Sequence, residues 1–264
     1  MGEIEFICSN EYKDAIPYPH LASKNKPKWF QELRDSDEGR CPIMFYNKIR
    51  KPDDMVMDRA AHLGGCPAVG DMLEYGYYIP AWTNFFFHEN EDGFTYHSES
   101  NTICDYHKAD DQFWSMPEEL SPRHDAFVKI VTPWIIRTSP GVSCIITHPY
   151  WTRENRFTTS YGIVHSDLAP TRMKWFFEWN QKLGPVDYDK PLARKDYSKH
   201  YIETGTPLIQ IIPFHRKKVE HKITTLSSSD YKDLDQQQMN RLLLGWFSKS
   251  NYGGLRGKIG RLFR

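Results

Sequence analysis

The chain has 264 residues, of which 39% are hydrophobic and 14% aromatic, so it can bury a large core and is not a disordered chain. Its 34 lysines and arginines balance 34 aspartates and glutamates, which excludes a global attraction to nucleic acid or to an anionic membrane. No apolar run approaches the roughly 20 residues of a membrane span. Because a secretory signal pattern is missing and the five cysteines form no Cys-x-x-Cys pair, we expect a cytoplasmic protein with reduced thiols.

The first third of the chain predicts one strand and two helices. Residues 4–8 alternate imperfectly and favour an edge strand, after which two prolines enforce an extended path. Residues 26–34 and 67–75 carry apolar side chains at helical spacing. Gly76 stands where it can end the second helix.

From about residue 81 to residue 210, short aromatic or β-branched runs alternate with polar turns, which is typical of a sandwich or barrel. One run places the large side chains of Met173, Trp175, Phe177 and Trp179 on one face of a strand. The clearest runs are 82–88, 93–97, 127–132, 135–138, 142–147, 157–164, 171–179 and 207–212.

A different pattern marks the end of the chain. Residues 227–230 can cap a helix whose apolar side chains fall on one face. Residues 249–264 are basic, which favours a contact with nucleic acid or with an acidic partner. We therefore predict one β-rich domain over residues 1–220 and a C-terminal helical arm with a basic tail over 221–264.

The predicted fold is mainly β, in the α+β class. Its core, over about residues 80–216, is a β-sandwich or a double-stranded β-helix of the cupin or jelly-roll kind. Helical segments precede this core, and the helical arm follows it.

Several stretches in order along the chain resemble a protein family encoded by tailed phages and classed as a domain of unknown function. The most specific stretch is 205–214, with the sequence GTPLIQIIPF; the others are 22–30, 66–80 and 133–144. The resemblance implies a phage origin and a location in the infected host cell, but it implies no activity. The family usually has an acidic residue where this chain has His165.

A mononuclear iron centre is the leading functional hypothesis from the residues. His165 and Asp167 stand two residues apart at a predicted strand end, and His215 follows a later strand. Two histidines and one carboxylate on one face leave positions open on non-haem Fe(II) for a co-substrate and oxygen. Arg216 and Lys218 would hold the carboxylate of 2-oxoglutarate. This hypothesis describes an iron-binding dioxygenase, an oxidoreductase acting on a small molecule or a peptide.

Two further sets of residues give alternatives. A hairpin that gathers His88 and His97, with His107 nearby, would form a second candidate metal cluster. A non-catalytic protein is the competing hypothesis, with the aromatic row of residues 175, 177 and 179 or the basic tail binding a host or virion partner. Nucleotide hydrolysis and serine chemistry are disfavoured, because the chain has neither a phosphate-binding loop nor a nucleophile elbow.

Overall fold

A computed structural model describes most of the predicted core. The described residues are 3–35, 67–90, 93–98, 105–108, 127–170, 172–180 and 200–247. Contacts between Cα atoms divide the chain into two compact units. The larger unit comprises Gly2–Lys28 and Ala68–Arg216, and the smaller unit comprises Trp29–Pro67 and Lys217–Arg264. The predicted boundary between residues 220 and 221 stays a prediction.

Within the described ranges the larger unit contains thirteen strands. They are β1 Ile4–Ile7, β2 His20–Leu21, β3 Tyr77–Pro80, β4 Phe85–Asn90, β5 Gly93–Ser98, β6 Asp105–Lys108, β7 Phe127–Thr138, β8 Val142–Thr147, β9 Phe157–Thr159, β10 Gly162–Val164, β11 Arg172–Trp179, β12 Tyr201–Ile202 and β13 Pro207–His215.

Three antiparallel sheets are built from these strands. The first has the order β1-β7-β11-β9, with β6 also paired to β7, and the second has the order β10-β8-β13-β3-β2. A third sheet has the order β12-β4-β5. Among the described strands, β1 is therefore the last one at an edge of the first sheet. The predicted edge strand near the N-terminus is confirmed.

One hydrophobic core joins the three sheets. On β11, exposed and buried side chains alternate, and Trp175, Phe177 and Trp179 lie on the buried face. They pack in the same core cluster as Ile209 of β13 and Phe85 of β4. Side chains from different sheets thus share one interior, as in a β-sandwich. The prediction of a mainly β fold with a sandwich core is confirmed.

The predicted strands differ most from the structure in two places. Residues 157–164 were predicted as one run, but they form β9 in the first sheet and β10 in the second sheet. Residues 127–132 and 135–138, which flank Pro133, form one strand. Proline is tolerated there because the β11 register shifts between Arg172 and Lys174, opposite Ile135 and Val131, so the ladder is interrupted at the proline.

Three α-helices lie in the described ranges: α1 Lys28–Asp35, α2 Pro67–Glu74 and α3 Ser228–Phe247. The Ser227 hydroxyl accepts a hydrogen bond from the Asp230 N–H at 3.2 Å, which confirms the predicted cap of α3. Of these helices, none combines the length and the apolar character that crossing a bilayer requires.

Candidate functional site

The residues of the predicted iron centre lie near the ends of β10 and β13. His165 follows β10 and is exposed, and its Nδ1 lies 2.7 Å from the buried Ser143 Oγ. Asp167 accepts hydrogen bonds from both terminal nitrogens of Arg216, at 2.6 and 2.5 Å, and from the Gly141 N–H at 2.8 Å. His215 ends β13 with an exposed side chain. Lys218 is exposed and belongs to the smaller unit.

This geometry overturns the oxygenase hypothesis. Asp167 forms a bidentate ion pair with Arg216, the residue that was expected to hold the co-substrate. No group of three histidine, cysteine, aspartate or glutamate side chains in the described ranges is arranged to hold a metal ion. The iron-dependent, metal-binding and dioxygenase predictions were therefore wrong. Hydrogen bonds of Arg216 instead link the end of β13 to Ser143 of β8 and to Asp167 in the turn after β10.

His165 and Asp167 lie close together, but an arginine stands between them: the Arg216 Nη1 atom is 3.3 Å from His165 Nδ1 and 2.6 Å from Asp167 Oδ1. Residues 165–167 form a turn after β10, in which the His165 carbonyl accepts hydrogen bonds from the N–H groups of Leu168 and Ala169. The rule that residues two apart share a face holds for strands and fails in a turn. Ser143 contacts His165, but it is fully buried and cannot serve as an accessible nucleophile.

The Arg216 guanidinium holds the pKa of Asp167 at about 2, below the ordinary value of 3.8, and the Gly141 N–H acts in the same direction. A lowered pKa means that the folded state favours the carboxylate. Its contribution to the free energy of unfolding is present above about pH 4 and is lost as the pH falls toward 2.

We therefore expect Asp167→Asn to be less stable than the wild type at pH 6. The difference should shrink between pH 4 and pH 2, because the wild-type carboxylate becomes protonated and loses its charged partner. Urea unfolding curves of both proteins across this range measure the effect. A difference that stays constant from pH 6 to pH 2 would contradict the assigned role of the ion pair.

Histidines gather on the third sheet, partly as predicted. The rings of His88 and His97 stack with centroids 4.6 Å apart, and His200 stacks on Phe86 beside them. Burial first, and then the neighbouring His97 and His200, lower the pKa of His88. The side chain of His107 lies outside the described residues. The histidines whose side chains the structure describes form no three-ligand metal group.

The aromatic row of β11 does not line a ligand site. Trp175 is 3% exposed, and Phe177 and Trp179 are fully buried. They belong to the core, so binding through this row was a wrong prediction. The basic tail of residues 249–264 lies outside the described residues, and its contact with nucleic acid or an acidic partner stays a prediction.

An open groove runs beside β1. It has a volume of about 570 Å³, which is within the range of ligand-binding clefts. One wall is the edge strand itself, and the other comes from the chain between β1 and β2. The lining residues are Ile4, Glu5, Phe6, Ile7, Cys8, Ser9, Asn10, Lys13, Tyr18, Pro19 and Trp134.

Half of the β1 main-chain groups are not used in the pairing with β7. The Glu3 carbonyl accepts a hydrogen bond from the Ser139 N–H, which fixes the alternation along the β1–β7 ladder. Glu5 and Ile7 then bond to β7, while the N–H and C=O groups of Ile4 and Phe6 point away from it. Among the described residues, nothing bonds to these outward groups.

Trp134 lies at the end of the groove. It precedes Ile135, the β7 partner of Ile7, so it stands just beyond the last residue pair of β1. Its side chain is 2% exposed, and its Nε1 has no hydrogen-bond acceptor among the described residues. The Tyr18 ring packs edge-on against it, with centroids 5.5 Å apart. The groove thus ends at a buried donor and an exposed aromatic ring.

Sequence reasoning did not find this groove. The edge strand was predicted, but its far wall is an irregular segment, and Trp134 comes from a strand more than a hundred residues later. The signal that pointed to it was the extended, proline-rich path directly after an edge strand. Such a path cannot pair with the strand, so the edge stays open.

No protein family and no curated protein matches this sequence. Among solved structures, the chain is similar to the EIAV dUTPase, with 8% identity and a TM-score of 0.30, over 59% of this chain and 87% of that one. The dUTPase of Staphylococcus aureus phage phi11 has 9% identity and a TM-score of 0.31, over 59% and 86%. The dUTPase of Staphylococcus bacteriophage 80alpha has 11% identity and a TM-score of 0.30, over 59% of this chain and 78% of that one.

Scores this low carry no argument about activity. A shared fold does not by itself determine function, which depends on the residues of the site. The resemblance to a tailed-phage family stays a prediction, because none of these comparisons bears on it.

Proposed function

We propose that this protein is a binding module that takes up an extended peptide segment as an added strand beside β1. The observation that carries the proposal is the edge of β1 that no described strand pairs with, in a strand whose four residues all line a groove of about 570 Å³. Strand addition is a common mode of peptide recognition, in which main-chain hydrogen bonds supply affinity and side-chain pockets supply specificity.

The energetics favour an extended ligand. Ile4 and Phe6 each present one donor and one acceptor, which together can form four hydrogen bonds. Each such bond contributes about 0.5–1.5 kcal/mol net. Apolar contact with the exposed Tyr18, which lines the groove, adds to this. Four such hydrogen bonds give about 2–6 kcal/mol, so we expect weak binding, nearer a millimolar than a micromolar Kd.

Amide hydrogen exchange tests the proposal directly. In the free protein the Glu5 and Ile7 amides should exchange slowly, and those of Ile4 and Phe6 should exchange fast. A short peptide selected from a random display library, at about 100 times its Kd, should slow exchange at Ile4 and Phe6 by up to about 100-fold. Glu5 and Ile7 are the internal control, because β7 already protects them.

N-methylation of the peptide gives a matched pair of probes. Methylating the amides that face β1 should weaken binding about tenfold or more, and methylating the alternate amides should change it little. Binding without this two-residue alternation would contradict strand addition. So would Ile4 and Phe6 amides that are already protected in a homodimer, as sedimentation of the free protein would show.

A further inference from the structure

A segment soon after β13 has no partner among the described residues. Residues 217–226 lie in no helix or strand, and no hydrogen bond or ion pair joins them to any described residue. Val219 is 84% exposed and Ile223 is 86% exposed, more than any other large hydrophobic residue in the described ranges. An unpaired main chain with exposed apolar side chains is a template for pairing with another chain.

The sequence of this segment favours a β-strand. It reads KKVEHKITTL, in which valine, isoleucine and two threonines are β-branched, and it contains neither glycine nor proline. In a strand, Val219 and Ile223 share one face. Lys218 and Lys222 share the other face, with Glu220 between them, so that face carries a net positive charge.

Strand β1 has the complementary pattern. Ile4 and Phe6 pack against the hydrophobic core on one face, and the Glu5 side chain, on the other face, is 49% exposed. Both hydrogen bonds from Arg137 reach Glu5 Oε2, so Oε1 has no partner among the described residues. The edge of β1 thus presents apolar side chains on one face and a carboxylate oxygen on the other.

An antiparallel register satisfies both patterns. It places Ile223 opposite Ile4, one of the two β1 residues whose main-chain groups point away from β7. Lys222 then lies opposite Glu5, in a pair without main-chain hydrogen bonds, where the two side chains approach most closely. A shift by one residue would move Ile223 to the charged face, and a shift by two in one direction would place Glu220 opposite Glu5.

We propose that residues 218–224 of a second copy of this chain add to β1 as an antiparallel strand, with Lys222 paired to Glu5 and Ile223 opposite Ile4. The inference rests on the proposed function, because it names the segment that the edge of β1 takes up. Since the expected Kd is nearer millimolar, the protein is monomeric at micromolar concentration, and pairing requires copies that are held close together.

A synthetic peptide of residues 217–227 tests the inference on the full-length protein at micromolar concentration. At about five times its Kd, the peptide should slow hydrogen exchange of the Ile4 and Phe6 amides about sixfold, and a scrambled peptide of the same composition should not. N-methylation at Ile223 should weaken binding about tenfold. N-methylation at Lys222 should change binding little, because only the Ile223 amide faces β1 in this register.

Charge reversal tests the register. A peptide with Lys222→Glu should bind about two- to fivefold more weakly, because it brings a like charge to Glu5. Lys218→Glu is the matched control, since it makes the same change of charge away from Glu5 and should lose less. The protein variant Glu5→Lys should reverse the order and prefer the Lys222→Glu peptide to the unchanged one. Equal losses for the two peptides would overturn the assigned pairing.

Concentration distinguishes a second copy from the same chain. The NMR signals of the Ile4 and Phe6 amides should move between micromolar and millimolar protein, and Ile223→Asp, at an exposed position, should abolish the movement. Amides that are protected equally at every concentration would overturn pairing with a second copy. If a selected library peptide protects these amides and the 217–227 peptide does not, the inference fails and strand addition stands. If no peptide protects them, strand addition itself fails.

Discussion

Gly76→Ala should lower the free energy of unfolding by about 2–5 kcal/mol, through backbone strain and steric overlap together. Gly76 has φ +75°, a conformation that L side chains rarely adopt. A Cβ added there would overlap the carbonyl oxygen of Ile211 in β13, which is main chain in a central strand and cannot move aside. The Gly76 carbonyl also accepts a hydrogen bond from the N–H of Ala22, the residue directly after β2, at 3.0 Å.

The chain offers a matched control for this substitution. Gly205 has φ +91°, and no atom lies within 4 Å of the Cβ that alanine would add. Gly205→Ala should therefore cost only the conformational part, about 1–2 kcal/mol. Urea unfolding followed by tryptophan fluorescence measures both values. Equal losses for the two variants would show that the contact with β13 does not limit position 76.

Phe177→Ala is expected to cost about 3–5 kcal/mol, because it opens a cavity where two sheets meet. The Phe177 ring is fully buried and stacks on Phe157 of β9, with centroids 4.3 Å apart, and on Phe87 of β4, at 5.2 Å. Removing it takes away contacts that join the first sheet to the third, and the surrounding rings cannot close the gap.

An exposed aromatic residue serves as the comparison. Tyr161 is 57% exposed and stacks only at the surface on Tyr150. Tyr161→Ala should change stability by about 0.5 kcal/mol. Phe177→Leu should fall between the two alanine variants, since it keeps part of the buried volume. A Phe177→Ala loss as small as that of Tyr161→Ala would mean that the core reorganises to fill the space.

Local patterns in the sequence were sufficient for several elements. The run 142–147 predicted the bounds of β8, and the alternation at 171–179 predicted β11 and its buried face. The Pro67 helix ends before Gly76, as its sequence indicated. In each case the signal lies within one element, where periodicity and end residues determine the structure.

The candidate site could not be predicted in the same way, because it depends on contacts between distant segments. The prediction of an iron centre failed for two reasons. Residues 165–167 form a turn, although their sequence was read as the end of a strand, and Arg216 pairs with Asp167 and not with a co-substrate. The groove depends on the position of β1 at a sheet edge and on Trp134, which no local pattern relates to the N-terminus. The exposed edge of β1 and its proximity to Trp134 both follow from the order in which the strands pair, which the sequence alone does not give.

The register between β1 and β7 has a consequence for biosynthesis. Ile4 pairs with Thr138, so the first strand has no partner until more than 130 further residues have been made. At about 5–20 residues per second, a ribosome needs roughly 7–27 s to supply them. During that time β1 is an unpaired apolar segment that chaperones can bind, and a nascent chain arrested before β7 lacks the strand that holds β1 in the sheet.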